Sequence, residues 1–164
     1  ALKPDRVIGW VTGNPPEQIT ALKDLGLPVF SIEPRSFEGV SSTIERLSIL
    51  AGTEDEGFAE ADRFRKGMAA LKKQYQGAEP VSVFYQVWDE PLMTVNDEHL
   101  IGKVITLCGG VNVFGDLDRL VPRISAEKEI LYLVPPSLIQ RPTPRILKGS
   151  QLFCEKLDDA RAKR

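Results

Sequence analysis

The sequence predicts an α/β protein of two lobes, each with a short central sheet, joined by one long linker helix. Two observations predict this class. Short apolar runs typical of buried strands alternate with helical patterns, and the longest helical pattern, at 54–76, lies mid-chain before a Gly- and Pro-containing segment. We therefore predict part of an N-terminal lobe over 1–53, the linker helix over 54–76 and a C-terminal lobe over 77–164.

In the N-terminal lobe, residues 6–12 (RVIGWVT) have the pattern of a short buried strand. Asn14 precedes two prolines and a glutamate, which is typical of a helix N-terminus, and Asn14 is the expected cap. An apolar stripe continues to Gly26, and residues 28–33 predict the next strand. The order predicts one βαβ unit with a parallel pair of strands.

Two helices are predicted next, separated by Gly52 and Thr53. Their apolar residues recur every three or four positions. These residues are Val40, Ile44 and Leu47 in the first helix and Ala61, Phe64, Met68, Leu71 and Tyr75 in the second. The other face of the second helix is densely charged, which predicts that this face is solvated.

The C-terminal lobe is predicted to contain strands at 81–87, 92–95 and 130–134. One helix is expected to start near residue 96 or 97 and to stop at Gly109 and Gly110, and the last helix to begin at Thr143 and Pro144. Two strands in the first lobe and three in the second are fewer than the roughly five of an average sheet. We therefore expect the first lobe to be incomplete.

Composition limits the classes of function. The 164 residues are 42% hydrophobic and 27% charged with a net charge of −2, which is typical of a globular protein, and no basic run would follow a nucleic-acid backbone. The apolar runs are shorter than the roughly 18 to 20 residues that span a bilayer, and the start does not resemble a signal peptide. The chain is either cytosolic or exported with its signal removed.

No nucleotide, zinc or redox motif is present in the sequence, so neither a metal nor a cofactor is predicted. The single histidine, His99, is expected at the surface of a helix. It would face away from Cys108 on that helix, which disfavours a Cys–His dyad. Cys108 and Cys154 either pair, closing a loop of roughly 46 residues, or are separate small buried side chains.

Aromatic residues stand near the carboxyl ends of predicted strands, where open α/β sheets place ligands. Trp10 follows the first strand, and Tyr85 and Trp88 follow the strand at 81–87. Arg141 lies in a Pro-flanked loop, a rigid setting for a guanidinium that clamps a carboxylate, phosphate or amide oxygen. The alternatives are core positions for the aromatic residues and a surface ion pair for Arg141.

Several segments resemble the periplasmic substrate-binding proteins of ABC importers for cobalamin, haem and ferric siderophores, especially the cobalamin-binding branch. These segments are PDRVIGW, GNPPEQITALKDLGLPVF, VFYQVWDEPLMTV, LCGGVNVF and RPTPRILKG, and they cover most of the chain. The resemblance implies a ligand, cobalamin, held between two lobes and delivered to an ABC permease dimer of the inner membrane. It also implies an exported, periplasmic protein with no cofactor, and haem or a ferric siderophore is the alternative ligand.

The resemblance also implies roles for single residues. Trp10 matches a ligand-stacking tryptophan, Met93 stands where an aromatic residue contacts the ligand, and Arg141 matches a ligand-contacting arginine. Glu127 matches the acidic residue that docks on the permease. Both cysteines match positions that are paired in the cobalamin-binding branch, so the resemblance implies a Cys108–Cys154 disulfide, as expected in the periplasm.

Two departures from the family pattern accompany the resemblance. The chain starts midway through the first lobe, and the segment after Glu127 is shortened. Delivery of a ligand needs no acid, base or nucleophile, so a binding protein is the prediction. The alternatives are an α/β enzyme acting on a nucleotide or sugar near Gly13, Asn14 and Pro15, and a corrinoid- or metal-sensing interaction module.

Overall fold

The computed structural model describes residues 3–11, 13–124 and 134–163. By its internal contacts the chain divides into two compact units, Ala1–Pro34 and Arg35–Arg164. Both are mixed helix and strand, and both contain one pair of parallel strands. The predicted α/β class is therefore confirmed.

The first unit is a βαβ element, as predicted. It consists of β1 (Val7–Trp10), α1 (Pro16–Asp24) and β2 (Val29–Ile32), with β1 parallel to β2. The predicted cap of α1 is wrong, because Pro15 is the N-cap residue and makes no side-chain cap bond. The Asn14 Oδ1 atom instead accepts a hydrogen bond from the Trp10 backbone N–H at 2.6 Å. Asn14 thus closes the turn that follows β1.

The second unit begins with two helices that form an αα-hairpin, α2 (Phe37–Ala51) and α3 (Glu54–Gln74). Gly52 joins them with a φ of 68°, a left-handed conformation that favours glycine. At Gly57 the helices approach so closely that a Cβ atom would overlap the Ser48 side chain. The predicted long helix is confirmed, ending two residues early, and no described helix is both long and apolar enough to cross a membrane.

Part of the charged face of α3 contacts α2 rather than solvent alone. The Arg65 guanidinium donates to the carboxylates of Glu38 and Glu45, with Nη1 lying 2.6 Å from Glu45 Oε1. These hydrogen bonds hold the pKa of both carboxyls below the usual range and raise the pKa of Arg65. The prediction of a wholly solvated face is therefore wrong at Arg65.

The remaining elements of the second unit surround its small sheet. They are β3 (Val81–Val83), α4 (Leu100–Leu107), β4 (Gly110–Asn112), α5 (Pro136–Ile139) and α6 (Arg145–Arg161). Strands β3 and β4 pair in parallel, with Val81 opposite Gly110. The predicted strand at 81–87 is too long, the one at 92–95 forms only isolated bridges, and β4 was not predicted. Residues 130–133 of the third predicted strand lie outside the described residues.

One hydrophobic core holds the second unit together. It contains buried side chains from β3 and from every described helix of the unit. Its largest fully buried residues are Phe64, Ile101, Ile105, Ile139 and Ile146. Within it, Cys108 at the end of α4 and Cys154 of α6 form a disulfide, and both residues are fully buried. The pairing implied by the resemblance is confirmed.

Candidate functional site

A short antiparallel ribbon follows β3 in the second unit. Trp88 and Arg123 each form an antiparallel bridge with Met93, on opposite sides of it. Both Val87 and Trp88 bond to Met93: the Val87 N–H donates to the Met93 carbonyl at 2.9 Å, and the Met93 N–H donates to the Trp88 carbonyl at 3.0 Å. Two residues of one strand, Val87 and Trp88, therefore face one residue of the other, which is the arrangement of a β-bulge. Bulges often reorient side chains next to binding sites.

Trp88 presents the largest exposed aromatic surface of the described second unit. Trp88 is 62% exposed, and its indole N–H donates a hydrogen bond to the Glu90 carbonyl at 3.1 Å. This hydrogen bond fixes the indole ring to the turn in which Trp88 lies. A large aromatic side chain fixed in solvent is well suited to stack on a flat ligand.

Arg141 is held beside this ribbon through its neighbour Gln140. The Gln140 Nε2 atom donates a hydrogen bond to the Val87 carbonyl at 3.5 Å. Arg141 itself is exposed, at the turn that follows α5. Sequence reasoning missed Gln140, and its only signal was its place next to Arg141 in the Pro-flanked loop.

Tyr85 faces the core more than it faces solvent. Its ring lies 6.4 Å from the Phe153 ring, centroid to centroid, and burial raises the pKa of its hydroxyl. The Tyr85 carbonyl accepts from the Thr94 hydroxyl at 2.8 Å. Tyr85 thus supports the ribbon from beneath, and a ligand contact by its ring stays a prediction.

Trp10 belongs to the first unit, at the carboxyl end of β1, where the sequence placed it. It is 37% exposed, and its carbonyl accepts from the N–H groups of Gly13 and Asn14. The second unit brings Trp88, Met93 and the turn of Arg141 together. Glu127 lies outside the described residues.

His99 has a structural role that the sequence analysis missed. It is the N-cap of α4, and its Nδ1 atom accepts a hydrogen bond from the Ile101 N–H at 3.1 Å. Burial lowers its pKa, as expected for an imidazole that must stay neutral to accept this bond. The predicted surface position on the helix is therefore wrong.

This cap predicts a pH-dependent stability. In the unfolded chain the histidine pKa is ordinary, about 6.5, so below that pH the unfolded state binds a proton that the folded state resists. The contribution of this cap to the free energy of unfolding is complete above about pH 6.5, and it is lost as the pH falls through the lower pKa of the folded state. We expect urea unfolding to show this decline between about pH 7 and 5.

The matched variant for this prediction is His99→Asn, because asparagine is a good N-cap that does not titrate. The variant should retain most of the stability near neutral pH and should lose the decline between about pH 7 and 5. As the chain has one histidine, no other imidazole contributes. Equal pH dependence in both proteins would show that the cap is not its source.

The chain combines two short parallel sheets and a long helix with a ribbon that carries an exposed aromatic ring, a half-buried thioether and an exposed guanidinium. This combination is typical of an α/β small-molecule-binding protein. The chain is 33% identical to the vitamin B12-binding protein of Vibrio cholerae over 130 residues, covering 79% of this chain and 47% of that protein. It is 30% identical to the vitamin B12-binding protein of Vibrio parahaemolyticus over 198 residues, covering 100% and 72%. The chain belongs to the vitamin B12-binding protein family.

Solved structures agree with this membership. The periplasmic vitamin B12-binding protein of Vibrio cholerae superposes with a TM-score of 0.87 at 27% identity, covering 98% of this chain and 76% of that one. A periplasmic haem-binding protein of Roseiflexus sp. RS-1 shares the fold, with a TM-score of 0.64 at 20% identity over 75% of this chain and 49% of its own. No family model matches the chain.

The Vibrio relatives are named as binding proteins, so the prediction of a non-enzymatic class is confirmed. The chain spans about half the length of the Vibrio cholerae protein in the sequence comparison, 47%. The span matched in the Vibrio parahaemolyticus protein is 198 residues against the 164 of this chain. That relative therefore contains residues within the matched span that have no counterpart here.

Proposed function

We propose that this protein captures a corrinoid of the cobalamin type and delivers it to the membrane permease of an ABC importer. Membership in a family whose relatives are named for vitamin B12 binding is the observation that carries the proposal. The residues proposed to contact the ligand are Trp10, Trp88, Met93 and Arg141. Tyr85 is also a proposed contact, and it is less exposed than Trp88.

The chemistry of these side chains supports a corrinoid. Cobalamin is a large amphipathic ring with amide groups along its edge, so aromatic and thioether groups can pack on the ring. A guanidinium can donate to the amide oxygens at the edge. Trp88 and Met93 supply the first kind of contact on adjacent positions of the ribbon, and Arg141 supplies the second.

The proposed setting is the periplasm, after export. A disulfide forms and persists in that oxidising compartment, which the Cys108–Cys154 bond supports. For delivery, Glu127 is proposed to dock on the permease dimer. An exposed carboxylate contributes little to stability but steers and orients a positively charged partner.

A calorimetric titration of the chain with cyanocobalamin tests the proposal. We expect binding of one ligand per chain with micromolar affinity or better, and at least tenfold weaker binding by Trp10→Ala and by Arg141→Ala. The matched controls are Phe58→Ala and Arg63→Ala, which remove an exposed aromatic ring and an exposed guanidinium from α3. Both controls should bind like the wild type.

Parallel titrations with haemin and with a ferric siderophore separate the alternative ligands. The haem-binding structure that shares the fold makes haemin the more informative of the two. Binding of haemin without binding of cyanocobalamin would replace the corrinoid in the proposal. Equal weakening by the α3 controls would contradict the proposed site.

A further inference from the structure

We infer that Arg123 is a second ligand-contacting cation of this site, placed beside Met93 and Trp88 to bind an oxygen at the edge of the ligand. The inference rests on the proposed function. Its source is the strand register, which brings Arg123 beside a residue thirty positions earlier in the chain. Nothing in the local sequence around Arg123 signals this.

The register places the side chains of Met93 and Arg123 next to each other. Their bridge is flanked by two hydrogen bonds, Thr94 N–H to the Pro122 carbonyl at 3.1 Å and Ile124 N–H to the Leu92 carbonyl at 3.0 Å. Met93 and Arg123 are therefore a non-hydrogen-bonded antiparallel pair. In such pairs the Cα atoms are about 4.5 Å apart and the side chains project from the same face.

Met93 also pairs with Trp88 on its other side, so three side chains form one row across the ribbon. We call this set the Trp88–Met93–Arg123 row. Trp88 and Arg123 at its two ends are exposed, and Met93 between them is half-buried. An apolar centre with an aromatic ring on one side and a cation on the other is a platform for an amphipathic ligand.

The chemistry of the guanidinium determines what Arg123 would bind. It presents planar, paired N–H donors that match carboxylate, phosphate and amide oxygens. When the ring of a corrinoid packs on Trp88 and Met93, its polar edge reaches the end of the row. Cobalamin carries two kinds of acceptor at that edge, amide carbonyls and the phosphodiester of its nucleotide loop.

Titrations of Arg123→Ala, Arg123→Gln and Arg123→Lys with cyanocobalamin test the inference. We expect at least tenfold weaker binding by the first two variants and partial recovery by lysine, which keeps the charge without the paired donors. Arg119→Ala is the matched control, because Arg119 is exposed four residues earlier and outside the row. Thermal unfolding of every variant is measured alongside, and unchanged midpoints separate a ligand contact from support of the ribbon.

A second titration series with cobinamide, which lacks the nucleotide phosphodiester, identifies the acceptor. Weaker binding of both ligands by Arg123→Ala assigns the contact to an amide, and weaker binding of cyanocobalamin alone assigns it to the phosphodiester. If wild-type chain binds cyanocobalamin and Arg123→Ala binds it equally well, the inference is wrong and the proposed function stands. If wild-type chain does not bind cyanocobalamin, both are wrong.

Discussion

Removal of the Cys108–Cys154 disulfide is expected to lower the free energy of unfolding by about 4 kcal/mol. The bond joins residues separated by 46 positions, and it restricts the unfolded chain by closing the loop between them. The closed loop contains β4, α5 and the first part of α6. Because both cysteines are fully buried, we expect the loss to affect the whole second unit in one transition.

Urea unfolding with and without a reductant measures this effect. The chain has two cysteines, so a reductant acts on this bond alone. The double variant Cys108→Ala/Cys154→Ala is the control, since it should unfold like the reduced protein and should not respond to reductant. A wild-type midpoint that reduction leaves unchanged would contradict the prediction.

The sequence predicted the long elements of the fold because their patterns repeat over many residues. Helix α3 has four apolar positions at spacings of three and four, Tyr75 at its C-cap continues the spacing, and all five residues are buried. Strand β4 has three residues directly after Gly109, too few to show alternation. The strand at 81–87 was predicted too long because its apolar run continues after the pairing with β4 ends, where Val87 bonds to Met93 instead.

The candidate site was predictable by residue type but not by arrangement. Trp88 was chosen from its place after a strand, and Met93 from the resemblance, yet nothing in the sequence predicted that they pair. Arg123 was missed because its partner is thirty residues away, and only tertiary register brings the two together. His99 was missed for a related reason, since its role as a cap depended on a helix start that lay three or four residues later than predicted.

Arg161, the last residue of α6, is held by three hydrogen-bond partners. Its Nε atom donates to the Glu79 carbonyl at 2.8 Å, and Nη2 donates to the Cys108 carbonyl at 2.7 Å. Its Nη1 atom pairs with Asp158 at 2.7 Å, and the side chain is 13% exposed. One guanidinium therefore fastens the end of α6 to the segment before β3 and to the end of α4.

Arg161→Ala is expected to lower the free energy of unfolding by about 3 kcal/mol. Hydrogen bonds from charged donors contribute about 1.5 to 3 kcal/mol each, and this variant removes the bonds to both carbonyls. Arg161→Lys should recover only part of the loss, since an ammonium cannot reach both carbonyls in the geometry of the fork. Arg63→Ala is the matched control, an exposed arginine paired with an acidic residue three positions earlier, and should leave the urea midpoint unchanged. Similar losses for Arg63→Ala and Arg161→Ala would show that the ion pair with Asp158, and not the two carbonyl bonds, accounts for the contribution of Arg161.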